Sequence, residues 1–292
     1  MDQQLLAFVT VVEKNNFTRA AETLHLTQSA ITLAVKALEK KYGAQLLDRS
    51  NKHVRLTKAG EIVYYHAKEI LSNYEKMKRL VEDLSHNASG KLLIGASYTF
   101  GEYILPKLLA SFNKRYPKIE PDISIHNSTF VINQLINGEL DLGIIEGKIE
   151  HQQIDIIPFA QDEMLMIVAK DHPLANIEEI EISELTHETW IIREEGSGTR
   201  QVLDRLFQDN LFTPKQTRTF GSSQIIKESV EAGLGIALLS QWVFRKEMQL
   251  GTIKAIRIKE QPILRKFFYA VRKSDFQPKT THLFLEFLIE SS

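Results

Sequence analysis

A chain of 292 residues with 43% hydrophobic and 25% charged side chains has room for two or three compact units, and it shows no collagenous, fibrous or disordered bias. It contains no cysteine, which excludes disulfides, Cys-ligated zinc, iron–sulfur clusters and a cysteine nucleophile. The formal net charge of −1 hides an uneven distribution, because residues 1–60 carry nine Lys/Arg against five Asp/Glu, as suits a nucleic-acid-binding head on a neutral or acidic body.

Met1-Asp2-Gln3-Gln4 lacks the basic-then-apolar order of a signal peptide, and no run approaches the roughly 18 apolar residues of a membrane span. The expectation is a cytoplasmic protein with no membrane partner. Leu5, Leu6, Phe8, Val9 and Val12 make Gln4 to Lys14 an amphipathic helix. Residues 16–39 then read as two short helices with a tight joint at His25-Leu26. Thr18 is placed to cap the first, whose Ala20, Ala21 and Leu24 form a small apolar face. Thr27 is placed to cap the second, where Ala30, Ile31, Ala34, Val35 and Leu38 recur at helical spacing and Gln28, Ser29, Thr32, Leu33 and Lys36 fall on the other side. A buried alanine-rich joint with a polar, uncharged helix start facing out is what a helix-turn-helix needs to enter a major groove. An ordinary α-hairpin satisfies the same pattern when it is read alone.

Gly43 suits the end of that second helix. Leu46 to Thr57 reads as a wing-like hairpin with a polar tip, and Arg49, Lys52 and Arg55 are spaced along it to follow a phosphate backbone. From Thr57, as N-cap, to about His86 runs a long helix. Its apolar positions Val63, Ala67, Ile70, Tyr74, Met77, Val81 and Leu84 alternate intervals of four and three, the seam of a coiled coil. The partner this seam suits best is the same helix of a second chain, with packing on its own body as the alternative.

His86 to Gly90 breaks the pattern, and the sequence beyond is of another kind. Leu92–Ala96 (strand), Ile104–Tyr116 (helix), Ile123–Ile125 (strand), Val131–Asn137 (helix) and Asp141–Ile145 (strand) imply a mainly parallel sheet covered by helices. Ile154–Phe159 and Met164–Ala169 add two extended segments. A second α/β unit follows through Trp190–Ile192, helices at Arg200–Asn210 and Ser223–Ala232, and Gly235–Leu239. After Ile253–Ile258, the strand Phe267–Val271 and the helix Thr280–Ile289 return to the first unit.

Ligands of such sheets sit beyond the carboxyl ends of the strands. Three of those ends carry small polar residues at a helix start: Ser97 and Thr99, then Asn127 and Ser128, then Ser197, Thr199 and Arg200. Together they point to a small-molecule cleft between the two α/β units. The last loop, with Arg200, suits a small anion at a helix amino end, whereas Glu146, Glu194 and Glu195 would repel one or select an amine. Enzyme chemistry has no motif behind it. There is no Gly-x-Ser-x-Gly elbow and no His-Glu-x-x-His helix, and the nine histidines show no metal-ligand spacing. Asp162-Glu163 reads as ordinary surface charge.

Three runs carry a resemblance: Phe17-Thr18-x-Ala20-Ala21-x-x-Leu24-x-x-Thr27-Gln28-Ser29-Ala30-Ile31-x-x-x-Val35-x-x-Leu38-Glu39, then Leu46-Leu47-x-Arg49, then Leu56-Thr57-x-Ala59-Gly60. With Gly138 to Ile144, His172-Pro173-Leu174 and Gly233 to Leu239 in the body, the chain resembles the LysR-type transcriptional regulators over essentially its whole length. Gly95-Ala96-Ser97 and Arg193 to Arg200 look most like the branch that regulates sulfur assimilation.

The resemblance implies an α/β protein with a helix-rich head. Residues 1–58 would form a winged helix-turn-helix and 59–90 a dimerising linker helix and hinge. Residues 91–292 would form a two-subdomain, periplasmic-binding-protein-like effector domain, with one subdomain at 91–161 and 267–292 and the other at 162–266. It places DNA contacts on Thr27, Gln28, Ser29, Thr32 and Lys36 and on the wing residues Arg49, Lys52 and Arg55. It places a small-molecule co-inducer, a sulfur oxyanion among the candidates, at Ser97, Thr99, Asn127, Ser128, Ser197, Thr199 and Arg200. No metal or other cofactor is implied. The implied partners are double-stranded DNA, the effector, further copies of the chain in a dimer and tetramer, and RNA polymerase. Many members carry Arg where Leu33 stands, so base contact there is open, with a thymine methyl as the partner that suits leucine. A competing class is a small-molecule binding protein whose amino-terminal helices only dimerise, and the basic wing discriminates against it.

Overall fold

The computed structural model describes residues 3–48, 54–83, 89–259 and 262–291. The chain divides into two compact units, Met1–His86 with Asn137–Glu139 and the remainder.

In the first unit, α1 (Gln3–Lys14), α2 (Phe17–Leu24) and α3 (Gln28–Tyr42) enclose a core in which Phe8, Val11, Ala20, Ile31, Val35 and Leu38 are fully buried. Alanine at 20 and 21 leaves no bulk between the helices, which lets α2 lie against α1 and α3. Asn16, not Thr18, caps α2, because its extended backbone lets Oδ1 accept the N–H groups of Thr18 and Arg19 at 2.7 and 3.0 Å. Thr18 already lies inside the first turn. His25 closes α2 in the left-handed region, with the Leu26 N–H returning to the Ala21 carbonyl, so the joint falls where expected. Thr27 caps α3 through the Ala30 N–H, and Gly43, at φ +64°, ends it.

The hairpin pairs β1 (Leu47–Asp48) with β2 (Arg55–Leu56), antiparallel, Leu47 opposite Leu56. Its tip, with Arg49 and Lys52, lies outside the described residues. Helix α4 (Lys58–Asp83) starts at Thr57, whose hydroxyl accepts the Gly60 N–H and donates to the Gln45 carbonyl. The apolar seam divides along this helix. Val63 and Ala67 pack on the core of their own head, while Ile70, Tyr74, Met77 and Val81 are exposed; Leu84 lies outside the described residues.

The second unit begins with β3 (Gly90–Ser97), α5 (Tyr98–Tyr103), α6 (Leu105–Arg115), β4 (Ile119–His126), α7 (Ser128–Ile136) and β5 (Leu142–Glu146). The single helix expected from Ile104 is thus preceded by a separate short one. It continues through β6 (Ile154–Ala169), β7 (Glu179–Ile180), β8 (Thr189–Arg193), α8 (Gly198–Asp209), β9 (Gln216–Phe220) and α9 (Ser223–Glu231). It closes with β10 (Ala237–Ser240), α10 (Arg245–Leu250), β11 (Ile253–Ile258), β12 (Ile263–Arg272) and α11 (Lys279–Glu290). The strands β7 and β9 and the helix α10 carry weak or polar patterns and went unread in the sequence.

The sheet runs β4-β3-β5-β12-β6-β11-β7, with β10 also on β6, and β8-β9 form a separate pair. The expectation of a mainly parallel sheet holds for β3 with β4 and β5. The pairs β8–β9 and β7–β11 are parallel as well, but the middle of the sheet is antiparallel, because β12 returns antiparallel beside β5, and β6 runs antiparallel to β12, β10 and β11. The two extended segments at 154–159 and 164–169 are one continuous strand. Gln161 to Glu163 between them are all polar, with Asp162 facing inward, and the ladder to β12 carries through them. The ladder shifts register between Phe267 and Phe268, beside Pro158, whose missing N–H is tolerated at such an irregularity. Both α/β lobes are therefore joined by two long, paired strands. One lobe packs Leu92, Phe112, Leu142 and Phe284 around β3, and the other packs Trp190 edge-on to Phe207 at 5.0 Å.

Candidate DNA-reading face and effector cleft

On α3 the buried stripe of Ile31, Val35 and Leu38 leaves Gln28, Ser29, Leu33 and Lys36 exposed, with Thr32 half-buried. The predicted readers differ in what their side chains already do. Thr27 and Ser29 hydroxyls bond each other at 3.0 Å, and the Thr32 hydroxyl donates to the Gln28 carbonyl at 2.9 Å. Thr32 therefore offers a methyl and lone pairs rather than a donor. No side-chain hydrogen bond occupies the Gln28 amide among the described residues, so it keeps both donor and acceptor for a base edge. Leu33 is 67% exposed, an apolar group at the middle of a polar face. Arg55 is exposed on β2, at the base of the hairpin.

In the body, the three polar loops follow β3, β4 and β8, and two of them touch: the Thr129 N–H donates to the Gly196 carbonyl at 3.1 Å. Gly198 lies so close to the end of β5 that a Cβ there would stand 2.3 Å from the Glu146 carbonyl oxygen. Only glycine lets α8 start at this point. The predicted hydroxyls gather around one feature that the sequence reading did not contain, the buried guanidinium of Arg265. Its Nε donates to Asp162 and one terminal nitrogen to Glu146, each at 2.6 Å. The same terminal nitrogen donates to Thr199 at 2.9 Å and the other to Thr99 at 3.0 Å. Ser97 donates to the second oxygen of Glu146 at 2.9 Å, and Ser240 to the second oxygen of Asp162 at 2.8 Å. The Ser128 hydroxyl holds the Glu146 backbone from both sides.

Glu146, Asp162 and Arg265 are each at most 4% exposed. Asp162 is thus a buried carboxyl paired with Arg265, not a surface group. Burial pushes its carboxyl above the ordinary range, and Arg265 opposes that shift. The signal was present in the period-two alternation: Asp162 is in phase with Met164, Met166 and Val168, and Arg265 with Phe267, all of them buried.

The remaining predicted residues lie beside this network. Asn127 caps the turn at Phe130 and donates to Glu194 at 3.3 Å. Glu194 is held by Nε and one terminal nitrogen of the buried Arg193, each contact 2.7 Å, and that guanidinium lies 4.7 Å from the Tyr98 ring. Arg200 is engaged by Asp204 and by the Arg193 carbonyl. Ser197 is buried at the start of α8 without a side-chain cap bond. Among the described residues no cluster of His, Cys, Asp or Glu could hold a metal ion, and no helix is long and apolar enough to cross a membrane.

A helix-turn-helix with a polar outer face, a hairpin behind it and a two-lobed body with a polar junction define a regulator that reads DNA through one unit and carries an effector-binding domain in the other. The head matches the family model described as bacterial regulatory helix-turn-helix protein, lysR family, over residues 3–61, and the body matches the LysR substrate binding domain over residues 85–292. The chain belongs to the LysR family of transcriptional regulators and is not an enzyme.

It is 41% identical over 265 residues to the HTH-type transcriptional regulator CysL of Bacillus subtilis, covering 91% of this chain and 89% of that one. It is 31% identical over 289 residues to a probable RuBisCO transcriptional regulator of Cyanidioschyzon merolae, covering 97% and 95%. The structure of full-length CbnR complexed with its target DNA superposes with a TM-score of 0.76 over the whole of both chains, at 22% identity, a likeness of fold.

Proposed function

We propose that this regulator controls genes of sulfur metabolism in response to a small effector bound between its two lobes. The 41% identity to CysL supports the pathway, and the regulators of carbon fixation among the relatives supply the competing one. The exposed, hydrogen-bond-competent face of α3 carries the DNA side of the reading. Gln28, Ser29, Thr32 and Thr27 read bases, and Lys36, Arg49, Lys52 and Arg55 hold phosphates. The effector side rests on Ser97, Thr99, Asn127, Ser128, Ser197, Thr199 and Arg200, in a domain of residues 91–292 whose lobes exchange near 161–162 and 266–267. Residues 1–58 then form the DNA-binding unit and 59–90 the linker.

The exposed Ile70, Tyr74, Met77 and Val81 form the apolar seam of a dimer, because a helix stripe of this kind is stable in water only against a partner. Tetramers, contact with RNA polymerase and a cytoplasmic location complete the reading. An effector can change the DNA complex only by binding one geometry of the protein better than another. Electrophoretic mobility shifts on DNA upstream of its own gene and of sulfite- and carbon-fixation genes test the reading. Retarded sulfur promoters whose complex responds to sulfur metabolites, with Thr99→Val binding DNA but not responding, are the expected result. Equal binding to random DNA, or response to carbon-fixation promoters alone, would overturn it.

A further inference from the structure

We propose that Arg265 is the charge partner of the effector, which is a small oxyanion held on its guanidinium between the Thr99 and Thr199 hydroxyls. This rests on the effector-cleft reading above; it adds a residue that reading lacks and decides between the anion and the amine that the sequence left open. Two of the three glutamates that argued for an amine, Glu146 and Glu194, do not compete once their partners are known. Glu146 has one oxygen on Ser97 and the other on Arg265, and both Glu194 oxygens are on Arg193. Glu195 is exposed, and the two oxygens of Asp162 are taken by Ser240 and Arg265. The buried carboxylates of the cleft therefore have no oxygen without a donor to offer a cationic ligand.

The donors are in surplus instead. A guanidinium has five N–H groups. Here two go to carboxylates and two to threonine oxygens, which leaves one without an acceptor among the described residues. Each threonine accepts from Arg265, so its own O–H remains to be donated. The contacts also differ in strength. Those to the carboxylates are 2.6 Å, while those to the neutral hydroxyls are 2.9 and 3.0 Å and are the ones an anion would replace. An oxyanion then gains three N–H and two O–H donors without unpairing Glu146 or Asp162. Those two carboxylates outweigh Arg265 by one formal charge, and burial raises the Asp162 pKa, the direction that lessens that excess.

The position also supplies coupling. Thr99 belongs to α5 in one lobe, Thr199 to α8 in the other, and Arg265 to the strand β12 that joins them. An anion here bridges both lobes and the connection between them, so its binding bears on the spacing of the lobes.

The test is thermal melting of the full-length protein with sodium sulfate, thiosulfate, phosphate and acetate, each against sodium chloride of equal ionic strength, and with glycerol and putrescine as uncharged and cationic probes. At least one oxyanion should raise the wild-type midpoint saturably. Lys266→Ala, exposed on the same strand, should keep that response, and Arg265→Lys should weaken the apparent affinity by about tenfold or more, because one ammonium cannot replace the fork. Thr99→Val/Thr199→Val should weaken it as well. If Arg265→Lys does not fold, wild-type crystals grown with selenate or arsenate decide by anomalous scattering. A peak beside Arg265 supports the proposal, and peaks only elsewhere overturn it. An oxyanion bound equally by Arg265→Lys, or no saturable oxyanion response at all, overturns it too. A response confined to glycerol or putrescine and lost in the double valine variant sinks the oxyanion while leaving the cleft reading intact, which the promoter assay judges separately.

Discussion

The polar groups of α3 and those around Arg265 answer to opposite physics. On α3, Gln28 and Lys36 stand exposed to water, so solvent can satisfy their hydrogen bonds at no cost to the fold. Around Arg265, every carboxylate oxygen is paired inside the protein, because an unpaired buried charge would be far more costly than a lost surface contact. Residues of the first kind should be legible in DNA binding and silent in stability, and residues of the second kind should be the reverse until a ligand is present.

The largest effect that would break this contrast is expected from Arg265→Met, which leaves Glu146 and Asp162 buried without their cation. Urea unfolding of the effector unit should show a loss of about 3–5 kcal/mol; a loss below about 1 kcal/mol would mean that water reaches the network and that it is not dry. Gln28→Ala should cost about 1–3 kcal/mol of discrimination between operator and random DNA with an unchanged melting midpoint. Equal weakening on both DNAs would assign Gln28 to the backbone instead.

Asn16→Ala should destabilise the head by about 1 kcal/mol, whereas Thr18→Ala should do little, because the N–H groups of the first turn of α2 are bonded to Asn16. Unfolding midpoints of the two variants sharpen the distinction between a cap and a neighbour that only looks like one.

The smallest effect concerns pH. Burial raises the Asp162 pKa above its ordinary value, so the folded chain holds that proton more readily than the unfolded one. Its contribution to stability is therefore full below the ordinary Asp range and is lost as pH rises through the raised value. The wild-type midpoint relative to Asp162→Asn should improve as pH falls from ~7 to ~4, and a difference that shrinks toward acid would contradict the assignment.

The head was legible residue by residue because its signals are local. Helical spacing, Thr27 before the recognition helix and Gly43 after it act over a few positions, and α3 appears with those ends and that buried face. The cap at Asn16 escaped only because two neighbouring residues offer the same chemistry, and backbone dihedral angles choose between them. The seam of α4 was equally plain as a pattern. That its first turns, at Val63 and Ala67, are spent on the chain's own head required knowing where α1 lies.

In the body, the order of strands and helices and the loops with Ser97, Thr99, Asn127, Ser128 and Thr199 could be read from hydrophobic runs and turn residues. The network could not. Arg265 meets Thr99 across 166 positions of sequence, Glu146 across 119 and Asp162 across 103. No periodicity carries information over such separations. Alternation along each strand marks Asp162 and Arg265 as inward-facing, but only the ladder of β6 with β12 shows that they face each other and close opposite charges into one buried site.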